Sequence, residues 1–199
     1  MAVITWVADE ASGEQRMEQA EVRTTAAGLA ARGTALVGAG ELTGADGPFT
    51  LAYELETGPD LVTRRLLVQA GGDGWARSVE LTRDTGGRWT VTRRAHPADG
   101  LASVDPAALT GALDCDLVSS ALFNMMPVAR TGLHRAPGRQ EFLMAWVDVP
   151  SLTVTASRQV YAHVRPGVVS FGSEGGFTAE IEMDAEGYAT RYPQVAVRV

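Results

Sequence analysis

Two carboxylates and the only cysteine of the chain lie together in a long apolar stretch, Leu113 to Arg130. Asp114 and Asp116 flank Cys115, so on a β-strand the two carboxylates project from one face and the thiol from the other. Carboxylates placed in this way can bind a hard cation, share a site in which one pKa is raised, or end a strand in solvent. Cys115 has no partner histidine nearby in the sequence and is most simply a small core residue.

The same stretch contains two further polar residues in apolar surroundings, Asn124 and Arg130. A buried polar group without a partner costs roughly 1–3 kcal/mol, and more when it is charged. In one interpretation both residues are structural. Asn124 then holds the turn before Pro127, and Arg130 pairs with a carboxylate. Asp116 and Asp148 are the candidate partners. In the other interpretation, Asn124 and Arg130 line a cavity and contact the headgroup of a ligand.

No motif of a common catalytic or nucleotide-binding class is complete in this sequence, which lacks a Gly-x-Ser-x-Gly elbow and a P-loop. The glycines of Gly38 to Gly44 look like a dinucleotide loop, but the third comes one position late. The following Ala45-Asp-Gly-Pro cannot form the helix that would hold a pyrophosphate. The histidines His96, His134 and His163 are far apart, although a triad could still assemble in space. We predict a turn at the glycines, no catalytic residue, no metal and no cofactor.

Composition excludes several classes of protein. The 199 residues suffice for one core, and we assign them to one β-roll domain, residues 1–199. The net charge of −7 argues against a nucleic-acid surface, which requires a basic stripe. One cysteine cannot form an internal disulfide, and the sequence shows neither a signal peptide nor a run of about 18 apolar residues. We therefore expect a cytoplasmic protein with no nucleic-acid partner and no membrane span.

Apolar and polar residues alternate over many short segments, which is the pattern of half-buried β-strands. The clearest case is the segment in which Tyr53 belongs to the apolar row, and turns rich in Gly, Pro and Asp separate the segments. We predict strands at Val3–Val7, Leu29–Val37, Phe49–Glu56, Val62–Gln69, Ala76–Arg83, Arg88–Arg93, Leu113–Val118, Glu141–Val149, Leu152–Val164, Val168–Phe171, Phe177–Met183, Tyr188–Tyr192 and Val195–Val199. Gly13 to Arg23 stays open between strand and helix. Roughly twelve to fourteen strands without βαβ alternation predict an all-β antiparallel barrel, roll or sandwich.

Two of these strands carry polar residues whose surroundings depend on how the sheet curves. In Leu152–Val164, the residues Gln159, Tyr161 and His163 form a polar row opposite an apolar row. This row is on the outside if the sheet faces water, but it could line a pocket in a roll that has an interior. Arg65 and the arginine before it face opposite sides of another strand, so one of them points towards whichever face is concave.

The chain is least regular on either side of the apolar stretch. We predict the longest loop at His96 to Thr110, where two prolines and several small residues occur. Ala121 to Met126 is predicted to form a turn or a short helix. Pro127 cannot continue the ladder of a central strand, so a new strand is predicted at Val128 to Leu133.

An ordered series of short motifs runs through the second half of the chain. The motifs are Leu113-Asp-Cys-Asp-Leu, Phe123-Asn-Met-Met-Pro-Val-Ala-Arg, Ala145-Trp-Val-Asp-Val-Pro-Ser-Leu-Thr-Val, Arg158-Gln-Val-Tyr, Gly176-Phe-Thr-Ala-Glu-Ile-Glu-Met-Asp-Ala-Glu-Gly-Tyr and Arg191-Tyr-Pro. The first half fits more loosely, through Trp6, Gly33, Tyr53, Thr63-Arg-Arg-Leu and Gly87-Arg-Trp. Together they resemble the putative glycolipid-binding family of bacterial proteins over almost the whole chain. The resemblance implies an antiparallel spiral β-roll, or curved half-barrel, akin to bacterial carriers that hold acyl chains.

The chain departs from the family pattern within the apolar stretch. The family usually has Pro-Phe-Thr-Asn before its proline and two basic residues after it. This chain has Ala121-Leu-Phe-Asn, and Arg130 is the only cation left of the basic pair. The residues that match the pattern are Asn124, Pro127, Arg130, Asp148, Pro150, Gln159 and Tyr161. The missing cation weakens the argument for an anionic headgroup.

We predict a non-catalytic binder of an amphipathic small molecule, such as a glycolipid or a fatty-acyl compound, whose tail is enclosed by apolar strand faces. The candidate ligand-binding residues are Asn124, Arg130, Gln159, Tyr161, Arg65, Tyr53 and Asp148. One alternative is an enzyme that uses Asp116, Asp148 or His163 in the same interior. Another is a structural or assembly protein with a filled core. The sequence implies no oligomeric state.

Overall fold

The computed structural model describes residues 1–38, 47–98 and 104–199. These residues form fourteen β-strands, one α-helix and two short 3₁₀ helices. The strands are β1 (Ala2–Ala8), β2 (Arg16–Thr25), β3 (Gly28–Val37), β4 (Phe49–Thr57), β5 (Thr63–Gly72), β6 (Trp75–Arg83), β7 (Trp89–His96), β8 (Asp114–Leu117), β9 (Arg139–Val147), β10 (Val154–Arg165), β11 (Val168–Ser173), β12 (Thr178–Met183), β13 (Ala189–Tyr192) and β14 (Ala196–Arg198). The α-helix α1 spans Met125–Thr131, and the 3₁₀ helices span Glu10–Ser12 and Pro106–Leu109. The prediction of an all-β fold with twelve to fourteen strands is confirmed.

All fourteen strands belong to a single open sheet. Strands β1 to β7 follow one another across one half of the sheet, and β9 to β14 follow one another across the other half. The halves meet where β1 pairs with β14, with Trp6 opposite Arg198. Neighbouring strands in the described sheet are antiparallel except β8, which runs parallel to β9. Strands β7 and β8 therefore form the two edges.

The sheet is curved, and its two ends approach each other. The backbone N–H of Thr63 on β5 donates to the carbonyl of Leu113 at 3.0 Å. The Thr63 hydroxyl in turn accepts from the backbone N–H of Cys115 on β8 at 3.3 Å. The indole N–H of Trp89 on β7 donates to the carbonyl of Ala112 at 3.1 Å. Strand β8 and the residues before it thus lie against β5 and β7, and all four residues of β8 are buried.

Alternation along most strands places one row of side chains in the core, as the sequence predicts. On β4, Leu51, Tyr53 and Leu55 are all buried, while the two residues between them are half-buried. Trp6 of β1 is fully buried, and its indole N–H donates to the carbonyl of Ala189 on β13 at 2.8 Å. Burial of such large apolar side chains is the main favourable contribution to folding. The core therefore extends across the junction between the two halves.

Strand β10 reverses the usual relation between polarity and burial. The side chains of Gln159 and Tyr161 are 0% exposed, whereas Val164 in the opposite row is 44% exposed. Of the two interpretations of the polar row, the one that turns it towards the interior is therefore correct for Gln159 and Tyr161. The third member, His163, is half-buried, and its Nδ1 atom lies 2.8 Å from the carbonyl oxygen of Leu133. A buried polar row needs hydrogen-bond partners inside the protein.

The prediction of a strand at Val128 to Leu133 is wrong. Met125–Thr131 is an α-helix, and Pro127 lies within its first turn. Proline is tolerated there because the first backbone N–H groups of a helix have no partner within the helix. Gly132 ends the helix in a left-handed conformation, with φ 72°, and its N–H donates to the carbonyl of Val128 at 2.9 Å.

The sequence also predicts the structure of three irregular segments. The ambiguous segment Gly13 to Arg23 contains the start of β2, so its strand interpretation is correct. The turn predicted at Gly38 to Gly44 lies outside the described residues, apart from Gly38. Part of the loop predicted at His96 to Thr110 is also outside them, and its described end contains the 3₁₀ helix Pro106–Leu109. Within the described ranges, no helix is long and apolar enough to cross a membrane.

Candidate functional site

A cleft of about 380 Å³ opens on the part of the protein formed mainly by β8 to β13. Its lining also includes the 3₁₀ helix Glu10–Ser12, the turn after β8 and the residue before α1. The lining residues are Ala11, Ser12, Asp116, Leu117, Val118, Ser119, Ser120, Asn124, Trp146, Phe171, Ser173, Gly175, Phe177, Tyr192, Gln194 and Val195. The volume lies within the range of small-molecule sites.

Three aromatic rings, Phe171, Phe177 and Tyr192, line the cleft together, and we call them the aromatic wall. The ring centroids of Phe171 and Tyr192 are 5.9 Å apart, and Phe177 lies 6.0 Å from the first and 6.1 Å from the second. Tilted and edge-to-face contacts at these distances are favourable, so the three rings support one another. Phe171 also packs against Tyr161 with centroids 5.1 Å apart. Trp146 of β9 adds a fourth aromatic side chain to the lining.

A chain of four hydrogen-bonded side chains, which we call the polar network, runs along the other side of the cleft. Asn124 Nδ2 donates to Tyr161 Oη at 2.8 Å, and Tyr161 Oη donates to Gln159 Oε1 at 3.1 Å. Gln159 Nε2 then donates to Asp116 Oδ2 at 2.5 Å. All four side chains are buried. Because each bond restrains the next residue, the polar network orients Asn124 and Asp116, the two members that line the cleft.

The polar network leaves one buried acceptor without a partner, the Oδ1 atom of Asn124. Asn124 occupies the N-cap position of α1, where an asparagine usually accepts a hydrogen bond from the first turn. Here its side chain makes no capping bond and contacts Tyr161 instead. A buried acceptor without a partner costs about 1–3 kcal/mol. A ligand that donates a hydrogen bond to this atom would recover that free energy.

Asp116 is the one carboxyl group among the described residues that line the cleft. Burial raises its pKa to about 7, and the negative charge of Asp114 adds to the shift. Hydrogen bonds from Gln159 and from the backbone N–H of Leu117 oppose it. No cation is among the groups that act on this pKa. Asp116 is therefore partly protonated near neutral pH, and perturbed carboxyls of this kind cluster at functional sites.

Two lining residues have a backbone conformation that is uncommon for residues with a side chain. Ser119 and Gln194 both have a φ of 63°, in the left-handed region. This conformation costs on the order of 1 kcal/mol per residue. Such outliers concentrate at binding and active sites, because surrounding structure must hold them in place. The turn after β8 and the loop before β14 are thus fixed in strained conformations where they border the cleft.

A second buried carboxylate, Glu18 on β2, is joined to the cleft lining through Ser120. Tyr53 Oη and Ser120 Oγ donate to Glu18 Oε1 at 2.7 Å and 2.5 Å. Arg16 Nη1 lies 3.3 Å from Glu18 Oε2 and pairs with it. Burial raises the pKa of Glu18, while Arg16, Ser120 and Tyr53 oppose the shift. Because both oxygens have partners and the charge is paired, this group is suited to holding the two halves of the protein together.

Four of the predicted ligand-binding residues lie in these two clusters. Asn124, Gln159 and Tyr161 belong to the polar network, and of these Asn124 is part of the cleft lining. Tyr53 contacts Glu18 instead, and its ring lies across β3. A Cβ atom at Gly33 would be only 2.1 Å from Tyr53 Cζ, so a glycine is required where the ring crosses the strand.

The other predicted residues lie outside the cleft lining and have protein partners. Arg130 forms a bidentate pair with Asp114 at 2.8 Å and 2.5 Å, so its partner is neither of the carboxylates considered from the sequence. Arg65 pairs with glutamates of the neighbouring strands β4 and β6. Asp148 accepts a hydrogen bond from the Ser151 hydroxyl at 2.7 Å.

The enzymatic alternative depends on acid and base groups that converge on one cleft. Of Asp116, Asp148 and His163, only Asp116 lines this cleft. Burial raises the pKa of the Cys115 thiol well above its usual value, and Asp114 and Asp116 add to the shift, so the nucleophilic thiolate is disfavoured. Within the described residues, no cluster of three His, Cys, Asp or Glu side chains is placed to hold a metal ion.

A larger groove, of about 740 Å³, crosses the other face of β1 to β6. Its polar lining residues, such as Thr34 and Gln69, are exposed or half-buried and can be solvated by water. The smaller cleft differs because it combines buried polar atoms with an aromatic wall. Sites for small molecules typically show this combination. We therefore take the cleft lined by Asp116 and Asn124 as the candidate site.

Sequence reasoning missed the aromatic wall and did not assign Asp116 to a ligand site. The three rings come from two strands and a loop that the sequence separates, so no local spacing connects them. A partial signal was available on β10, where Gln159 and Tyr161 share one face and therefore one environment. The pairing of Gln159 with Asp116 depends on how β8 lies in the sheet, which local patterns do not contain.

The fold and the cleft define a class of protein: an all-β chain with one curved open sheet whose cleft has an aromatic side and a buried polar side. The sequence profile of the family described as "Putative glycolipid-binding" matches residues 3–198, so the chain belongs to this family. The resemblance inferred from the motifs is thereby confirmed. The structure is similar to that of a DUF1089 family protein from Pseudomonas aeruginosa, with 22% identity and a TM-score of 0.73 over 92% of each chain. At this identity the similarity establishes the fold alone. No curated protein matches the chain.

Proposed function

We propose that the protein binds an amphipathic small molecule in the cleft, and that glycolipids and fatty-acyl compounds are the candidate ligands. The observation that carries this proposal is a buried acceptor without a partner, Asn124 Oδ1, in a cleft that also has an aromatic wall. The apolar part of the ligand would contact the aromatic wall, and its polar part would contact Asn124 and Asp116. The family's description agrees with this ligand class.

The size of the cleft limits what can bind. A volume of about 380 Å³ is near the lower end of the range for small-molecule sites. The cleft therefore suits one short amphiphile, or the polar end and first part of a longer one. We propose that Gln159 and Tyr161 orient the contacting groups, since their polar atoms already bond within the network. The cytoplasmic location stays a prediction from the sequence.

Extraction and titration test this proposal. An organic-solvent extract of the purified protein is analysed by mass spectrometry, and alkyl glycosides and fatty acids are then titrated calorimetrically into the stripped protein. We expect one amphiphile to bind per chain. If no amphiphile copurifies and none titrates, the proposal is wrong.

A variant that fills the cleft tests whether the ligand binds there. Gly175 is an exposed lining residue, and a Cβ atom there would meet only Ser173 Oγ, at 3.9 Å. Gly175→Trp should therefore fill the cleft from its rim without disturbing the core. We expect it to abolish binding while the unfolding midpoint stays unchanged. The matched control is Glu174→Trp, which places the same bulk at an exposed position outside the lining and should bind normally.

A further inference from the structure

The polar end of the cleft offers buried acceptors and no cation. Asn124 has its Nδ2 atom engaged by Tyr161, so the Oδ1 atom is the group left for a ligand. Asp116 lines the cleft and accepts hydrogen bonds from Gln159 and from the backbone N–H of Leu117. Among the described residues that form the lining, none is an arginine, lysine or histidine. A ligand group that contacts Asn124 Oδ1 or Asp116 must therefore bring hydrogen-bond donors.

An anionic headgroup would be disfavoured there for two reasons. A phosphate or carboxylate would approach the carboxyl of Asp116 without a cation to pair with, and unpaired charges are costly to bury. Arg16, which donates to the carbonyl of the lining residue Val195, is paired with Glu18, and Arg130 is paired with Asp114. The net charge of −7 repels anions from the whole molecule in addition.

We propose that the cleft selects an uncharged headgroup with at least two hydroxyl donors and rejects anionic headgroups, and that Asp116 and Asn124 are the specificity-determining acceptors. This inference rests on the proposed function and narrows it. A sugar or another polyol carries donors at several neighbouring positions, as two separate acceptors require. Asn124 Oδ1 is a neutral buried acceptor, so a hydroxyl donor satisfies it without burying a charge.

Asp116 gives this selection a dependence on pH. The groups that act on it are Gln159 on β10, Asp114 on its own strand and the backbone of the next residue. Two tyrosines also face it electrostatically, Tyr161 and Tyr192, and burial raises both of their pKa values well above the usual value. The tyrosines therefore stay neutral through the physiological range. Because an ionised carboxylate accepts a hydroxyl bond more strongly than a protonated one, hydroxyl ligands should bind more tightly as pH rises through 7.

The test compares three amphiphiles with the same octyl chain: octyl glucoside, octyl phosphate and octylammonium, each titrated by calorimetry below its micelle concentration. We expect the glucoside to bind about tenfold or more tightly than the phosphate, the ratio that one lost charge-assisted hydrogen bond produces. Equal or tighter binding of the phosphate would overturn the inference, and so would tighter binding of octylammonium than of the glucoside. In both cases the proposed function would stand. If none of the three binds, this inference fails, and the proposed function is then decided by the extraction and the fatty-acid titration.

The variant Asp116→Asn tests whether Asp116 determines the preference for hydroxyl headgroups. Asp116→Asn keeps an acceptor for Gln159 and removes the charge, so it should weaken glucoside binding and flatten its pH dependence. We expect the wild-type affinity for the glucoside to rise about fivefold between pH 5.5 and 8.5 and the variant affinity to stay constant. The control is Asp84→Asn, which makes the same change in net charge at an exposed turn and should behave like the wild type. A wild-type affinity that does not rise with pH, or a variant that retains the wild-type profile, would contradict the role of Asp116.

Discussion

Glu18 and Asp116 are both buried carboxyl groups near the cleft, but their partners differ in number and charge. Glu18 has an arginine and two hydroxyl donors, and its oxygens are all occupied. Asp116 has an amide and a backbone N–H, and no cation among the described residues acts on it. Burial alone therefore does not identify a ligand-binding carboxyl group. What distinguishes Asp116 is that its environment leaves its charge unpaired at the lining of a cleft.

Glu18→Gln should cause the largest loss of stability. The change keeps the shape of the side chain but removes the anion that pairs with the buried Arg16, on which the charge of Glu14 still acts. Breaking a buried ion pair from one side costs about 3–5 kcal/mol. Urea unfolding at neutral pH measures this loss. The double variant Arg16→Met with Glu18→Gln is the informative control, because it removes both charges, keeps an acceptor for Tyr53 and Ser120, and should restore most of the stability. A loss below about 1 kcal/mol in Glu18→Gln would show that Glu18 is not the saturated group described above.

The free energy of unfolding of the wild type should fall relative to that of Asp116→Asn as pH rises. The pKa of Asp116 is about 7 in the folded protein and about 4 in an unfolded chain. Between these values the folded state binds more protons, so the contribution of protonated Asp116 is complete below pH 4 and is lost as pH rises through 7. Relative to the variant, the wild type should lose about 2–3 kcal/mol between pH 5 and 8.

Unfolding curves of both proteins at the two pH values measure the difference. Asp84→Asn serves again as the control, since Asp84 is exposed and its pKa is lowered rather than raised. A constant difference between wild type and Asp116→Asn would mean that the folded protein holds Asp116 ionised throughout, and the contrast with Glu18 would then disappear.

Ser120→Ala should have a smaller effect on stability and should distinguish the Glu18 cluster from the ligand-binding cleft. Ser120 lines the cleft, but its hydroxyl donates to the oxygen of Glu18 that Tyr53 also contacts. Its loss should therefore cost about 1.5–2 kcal/mol of stability, the lower end for a hydrogen bond to a charged group. Because Ser120 makes no bond to the polar network, the affinity for an amphiphile should stay unchanged. Calorimetric titration and urea unfolding of the same preparation provide both readings. A large loss of affinity with unchanged stability would show that Ser120 belongs to the ligand site and not to the Glu18 cluster.

Arg65→Met should have the smallest effect on stability. It extends the comparison of buried charged groups to an ion pair on the outer face. Arg65 pairs with Glu54 and Glu80 on the outer face, where the side chains of both glutamates are 40% exposed. Pairs of this kind contribute about 0–1 kcal/mol and are screened by salt. Unfolding at low and high ionic strength should give a difference that shrinks as salt is added, with no change in ligand affinity.

The sequence predicts the fold better than the site, for a physical reason. Strand patterns are local, so the alternation around Tyr53 predicts β4 correctly. Local reasoning fails where tertiary structure decides, as at Pro127, whose compatibility with a first helical turn is not visible from strand statistics. On β10 the alternation identifies the two rows, but only the curved sheet shows that Gln159 faces inward. The site itself depends on distant segments that meet, so residue types could nominate Asn124 without locating its unused acceptor.

The position of β14 has a consequence for how the chain folds. β14 is the last strand in chain order, yet it lies in the middle of the sheet and pairs with β1, the first. During synthesis, β1 to β7 emerge and pair with one another while β1 still presents an unpaired edge. Pairing over such a long sequence separation is slow, because the chain must close a large loop first. The nascent protein therefore exposes an unpaired strand edge, which can pair with another chain, until β14 has been synthesised and pairs with β1. Self-association is most favoured in that interval.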